Sequence, residues 1–88
     1  MTLQEKAVKM LVDHGMWEKE AIAIIESYLN SQYGKAMKGR MNDDESGYPP
    51  NFFIPVWMGV KRVALEWINA NKLMHFARAM FVDPQNPA

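Results

Sequence analysis

Few residues in this chain of 88 could act as nucleophiles or general bases. Cysteine is absent, which excludes disulfides, thiolate catalysis and cysteine-ligated metals together. No Gly-x-Ser-x-Gly elbow surrounds any serine, so nothing in the sequence indicates an activated hydroxyl. The histidines are His14, which fits the end of one helix, and His75, which fits the face of another. We therefore predict a protein that is not an enzyme and that uses no cofactor.

The acids that could hold a metal ion are Asp43, Asp44 and Glu45, which follow one another directly. A calcium loop of the EF-hand type instead needs ligands at alternating positions, a central glycine and a closing glutamate. Here Gly47 is followed by Tyr48 and two prolines. No His-x-x-x-His or Glu-x-x-His pair is present for zinc or a di-iron site. We predict a solvated turn that caps neighbouring backbone, and no metal site.

Charge is divided unevenly along the chain, although the formal net charge is zero. Residues 1–33 carry a balance of −2, and residues 34–88 carry a balance of +2. The first two predicted helices are joined as in a helix-turn-helix, but the second begins with Glu18, Lys19 and Glu20, where phosphates would approach. These acids argue against a recognition helix, but a local basic patch in the second half of the chain keeps nucleic-acid binding as an alternative function. Its candidate residues are Lys35, Lys38 and Arg40.

Apolar side chains exceed what the predicted helix faces can bury, which favours a protein–protein interaction. The chain has eight methionines, and the flexible, polarizable Met side chain suits adaptable surfaces as well as irregular cores. The residues before Pro55, Phe52-Phe53-Ile54, add more apolar surface than one helix face can bury. We predict apolar anchors with cations at the rim, which bind another protein or a second copy as a homodimer. The predicted binding residues are Met58, Lys61, Arg62, Met74, Arg78, Met80 and Phe81.

The start of the chain indicates two consecutive helices joined by a short connection. Thr2 and Glu5 have the spacing of a capping box, and Gly15 can take the left-handed conformation that closes a helix, so we predict a helix over 3–14. A second helix begins after Trp17, and the poor helix formers that follow it favour a break near Ser31 over a helix that continues through Gly34 to about Gly39. Its apolar stripe consists of Trp17, Ala21, Ile24, Ile25, Tyr28 and Leu29.

The second half of the chain has a Pro/Asp-rich loop, residues 41–51, before the last long helix. The strongest helical periodicity of apolar residues runs over 53–68, and a short fourth helix is expected over 73–80. The tail, 82–88, contains two prolines and is expected to be loosely ordered. The expected bulk of the core is Trp17, Phe53, Trp57, Trp67 and Phe76.

These elements predict an all-α protein, a compact bundle of three to four helices around one core. Residues 1–81 would form a single helical domain, because a chain this short cannot build two separate cores. No run reaches the ~18 apolar residues of a membrane span, so we expect a cytoplasmic location and no membrane partner.

Two resemblances follow from local stretches of sequence. Residues 11–21 resemble the first loop of ubiquitin-associated domains, but roughly 25 residues separate the second and third helices here, so no ubiquitin-binding residue is carried over. Over most of its length the chain is similar to small phage and prophage proteins. The stretches that carry this resemblance are 36–40, 43–49, 64–68 and 75–81. It implies a role as a phage accessory protein and supplies no site residues.

Overall fold

The structure is a computed structural model that describes residues 1–71, in which three α-helices pack together. The helices are α1 (Leu3–Asp13), α2 (Glu18–Asn30) and α3 (Phe53–Asn71), with short 3₁₀ helices at Lys35–Met37 and Glu45–Gly47. No β-strand occurs among the described residues, and one isolated bridge joins Thr2 to Asp44. The predicted compact all-α bundle is confirmed, with three helices. The predicted fourth helix over 73–80, the tail and Phe76 lie outside the described residues.

Helix α1 has the ends that its sequence predicts. Thr2 Oγ1 accepts a hydrogen bond from the backbone N–H of Glu5 at 3.1 Å, and a Glu5 carboxylate oxygen accepts one from the Thr2 N–H at 2.8 Å. These bonds satisfy first-turn donors and hold the pKa of Glu5 below its usual value. At the other end His14 caps the helix, and Gly15 follows with a φ of 98°.

The prediction that Trp17 belongs to the core is wrong, because its side chain is 71% exposed. Trp17 is the residue that precedes α2, and its extended backbone directs the side chain away from the buried face of that helix. Met16 is buried at the corner between α1 and α2 instead. Of the other predicted core aromatics, Phe53 is buried, whereas Trp57 and Trp67 are half-buried against the core.

The fully buried ring of Tyr28 lies at the contact between α2 and α3. Helix α2 ends at Asn30, and the hydroxyl of Ser31 donates to the Tyr28 carbonyl at 2.7 Å, so the predicted break near Ser31 is confirmed. The chain then passes Gly34 along one side of the Tyr28 ring, while Gly59 of α3 lies against another edge. The two glycines therefore set how closely the backbone approaches this ring.

The loop 41–51 is fastened to the start of α1. The backbone N–H groups of Leu3 and Gln4 donate to the carbonyls of Asp43 and Met41, at 3.0 and 2.8 Å. The first N–H groups of a helix have no partner inside the helix, so the loop satisfies two donors that would otherwise need water. Met41 is itself buried, which holds this part of the loop against the helices.

Lys6 links the same loop to α1 and α3. Its ammonium nitrogen lies 3.3 Å from a Glu45 carboxylate oxygen and 4.6 Å from the centroid of the Phe53 ring. The loop is thus part of the packed bundle. None of the helices within residues 1–71 is long and apolar enough to cross a membrane.

Candidate functional site

Helix α3 carries a row of apolar side chains that point to solvent. Ile54 and Met58 are one helical turn apart, and their side chains are 55% and 60% exposed. A shallow cavity of about 440 Å³ lies beside Met58. It is lined by Tyr33, Pro55, Met58, Gly59 and Arg62. These five residues, together with Ile54, are called the Met58 surface below.

Arg62 is the cation that belongs to the Met58 surface itself. The Arg62 guanidinium carbon lies 5.3 Å from the centroid of the Tyr33 ring, and an Arg62 N–H donates to the Tyr33 hydroxyl at 3.5 Å. This contact lowers the pKa of the Tyr33 hydroxyl and raises the pKa of the Arg62 guanidinium. Arg62 forms no ion pair within residues 1–71, and the carboxylate of Glu66, one helical turn along α3, adds to the rise of its pKa.

The structure brings together part of the predicted binding set. Met58 and Arg62 share one exposed face of α3, and Lys61 is half-buried at its edge, three residues from Met58. The remaining members lie outside the described residues: Met74, Arg78, Met80 and Phe81. Tyr33 was not among the predicted binding residues, because its position depends on how the chain turns back after α2.

A second apolar depression lies between α1 and α2, and no sequence signal pointed to it. Its volume is about 660 Å³, and Val8, Val12 and Ile22 supply its apolar side chains. Val12 and Ile22 are 38% and 39% exposed. The full lining, called the α1–α2 groove below, is Thr2, Gln4, Glu5, Val8, Lys9, Val12, Glu18, Ile22 and Asn42.

The charge of the α1–α2 groove is negative. Lys9 forms an ion pair with Asp13 at 2.9 Å, so its charge is compensated within α1. Glu5 and Glu18 are exposed and have no cation within ion-pair distance among residues 1–71. The groove therefore combines apolar side chains with two carboxylates that form no ion pair, and the positive amino terminus helps to lower the pKa of one of them, Glu5.

The alternative nucleic-acid residues are Lys35, Lys38 and Arg40, and the side chains of all three are exposed. They lie on the short 3₁₀ helix Lys35–Met37 and the turns that follow it. None of the three takes part in an ion pair with another described residue. They could present a positive patch to a phosphate backbone.

His14, the one candidate base that lies within the described residues, is engaged in the packing of α1. Its Nδ1 lies 2.7 Å from the Met10 carbonyl oxygen, and its ring centroid is 5.3 Å from that of Trp57. Within residues 1–71 no three acidic or histidine side chains come together to hold a metal ion.

The candidate sites within residues 1–71 are the Met58 surface, the α1–α2 groove and the exposed cations Lys35, Lys38 and Arg40. Comparisons of the chain with protein-family models, with curated protein sequences and with solved structures find no match. The function is therefore inferred from the residues of these surfaces.

Proposed function

We propose that this protein acts without catalysis, as a small helical protein that binds another protein, or another copy of itself, through the Met58 surface. The observation that carries the proposal is the exposure of Ile54 and Met58, side by side on α3. Contiguous exposed apolar side chains mark interaction sites, because water contact with them is unfavourable by roughly 25 cal/mol per Å².

The remaining residues of the Met58 surface supply the features of a binding site. Met58 can adapt its unbranched side chain to the shape of a partner, and Tyr33 adds an aromatic face beside it. Arg62 is already held above the Tyr33 ring, so less side-chain entropy is lost when it meets a carboxylate of the partner. The resemblance to phage and prophage proteins supports an accessory role in a viral context.

Substitution of Met58 by aspartate is expected to weaken binding by roughly 30-fold or more, the effect of losing an interface residue that contributes about 2 kcal/mol. The stability of the fold should change little, because the Met58 side chain is exposed. Sedimentation equilibrium measures self-association, and affinity capture from bacterial lysate measures binding to other proteins.

Ala36→Asp is the matched control, since Ala36 is exposed, lies outside the Met58 surface and receives the same new charge. It should behave like the wild type in both measurements. Unchanged association and capture by a folded Met58→Asp variant would contradict the proposal. So would a wild-type protein that neither self-associates nor retains any partner.

The second candidate function is nucleic-acid binding, and the exposure of Lys35, Lys38 and Arg40 favours it. If these three cations each contact a duplex phosphate, log Kd should rise with log salt with a slope of about 2.7, or roughly 40-fold between 50 and 200 mM. Mobility shifts of duplex DNA measure this slope, and the triple alanine variant should abolish the shift. A salt-independent shift, or none, contradicts this function.

A further inference from the structure

The α1–α2 groove matches the Met58 surface in chemistry. Both have exposed apolar side chains, Ile54 and Met58 on α3 and Val12 and Ile22 between α1 and α2. We propose that the Met58 surface of one molecule docks into the α1–α2 groove of a second copy, head to tail. This inference rests on the proposed function, because it names the partner of the Met58 surface.

Opposite charges give the two surfaces their complementarity. Lys61 and Arg62 stand at the Met58 surface and form no ion pair within residues 1–71, although Glu66, one helical turn beyond Arg62, offsets part of their charge. Glu5 and Glu18 stand at the groove without a cationic partner in the same part of the chain. The Met58 surface and its edge thus carry a net positive charge and the groove a net negative one, which favours this pairing and its orientation.

The shapes fit the recognition of a helix by a groove. On α3, Ile54, Met58 and Arg62 follow one another at intervals of four residues, which is the spacing of anchor residues on a docking helix. The groove is an open depression of about 660 Å³ between two helices, the kind of surface along which a third helix packs.

A symmetric dimer through two Met58 surfaces is disfavoured by charge. It would place two surfaces of the same net positive charge against each other and leave the carboxylates of the groove without a cation. The Met58 surface and the α1–α2 groove share no residue, so one molecule can use both at the same time. Such a heterologous contact repeats from copy to copy and produces rings or open chains rather than a closed twofold dimer.

Two variants that each disable one surface provide the test. Met58→Asp removes the docking ridge, and Ile22→Lys places a charge in the groove at an exposed position of α2. We expect the wild type to form species larger than a dimer as its concentration rises. Each variant alone should be monomeric, with association weakened by roughly 30-fold or more.

An equimolar mixture of the two variants should form a one-to-one heterodimer, since one variant keeps its groove and the other keeps its Met58 surface. Sedimentation velocity and native mass spectrometry distinguish monomer, heterodimer and larger species. Circular dichroism checks each fold, and Val12→Lys replaces Ile22→Lys if that variant fails to fold.

A mixture that stays monomeric, or an Ile22→Lys variant that associates like the wild type, overturns the head-to-tail proposal. If the wild type is monomeric but Met58→Asp alone loses a captured bacterial protein, this inference fails and the proposed function stands. If Met58→Asp changes neither association nor capture, both fail.

Discussion

Replacing Gly34 by alanine is expected to lower the free energy of unfolding by about 3 kcal/mol, because a side chain there has no space. A Cβ atom on Gly34 would lie 2.3 Å from the carbonyl oxygen of Tyr28 and 2.7 Å from two carbons of its ring. The oxygen belongs to the backbone of α2, so it cannot move aside as the end of a flexible side chain could. The φ of Gly34 is −123°, so the cost is steric rather than conformational.

A smaller effect of opposite sign accompanies this steric cost. A Gly-to-Ala substitution reduces the entropy of the unfolded chain and thereby stabilises the fold by about 0.4–1 kcal/mol. The contact at 2.3 Å outweighs that gain at Gly34. For a domain of this size the loss corresponds to a Tm lowered by roughly 12–24 °C, measured by calorimetry or thermal circular dichroism.

Gly39 and Gly47 are matched controls in the same connecting region. A Cβ at either position meets no atom within 4 Å, and neither residue has a positive φ. Gly39→Ala and Gly47→Ala should therefore leave stability unchanged or raise it by up to about 1 kcal/mol. If Gly34→Ala is as stable as these two variants, the close approach of Gly34 to Tyr28 is contradicted.

The features that the sequence predicted correctly depend on residues near one another in the chain. Thr2 and Glu5 are three residues apart, and Gly15 acts within one turn, so both ends of α1 could be located. In each case the interaction is decided by backbone geometry over a few residues.

The predictions that were wrong or missing concern the direction of a side chain or contacts between residues that are far apart in the sequence. Periodicity assigned Trp17 to the buried stripe of α2, but the residue precedes the helix and does not follow its 3.6-residue repeat. Tyr33 and Arg62 are 29 residues apart, and only the turn after α2 brings them together. The α1–α2 groove could not be predicted either, because it depends on how two helices and Asn42 of the loop fit together.

The largest effect expected in the loop is that of Met41→Ala, which should lower the free energy of unfolding by about 2–4 kcal/mol. The sequence identified residues 41–51 only as a connector, yet Met41 is fully buried. Removing most of its side chain leaves a cavity between the loop and the helices. Without the buried side chain the loop should also separate more easily from α1, although the backbone carbonyl of residue 41, which accepts from the Gln4 N–H, stays in place.

Hydrogen exchange separates this local release from a uniform loss of stability. In Met41→Ala the amides of Leu3 and Gln4 should exchange faster than the drop in global stability accounts for, since their acceptors are the carbonyls of Asp43 and Met41. Met41→Leu keeps most of the buried volume and should cost less than about 1.5 kcal/mol without exposing these amides. If Met41→Ala instead costs no more than about 0.5 kcal/mol, as an exposed substitution would, the loop does not hold the first turn of α1.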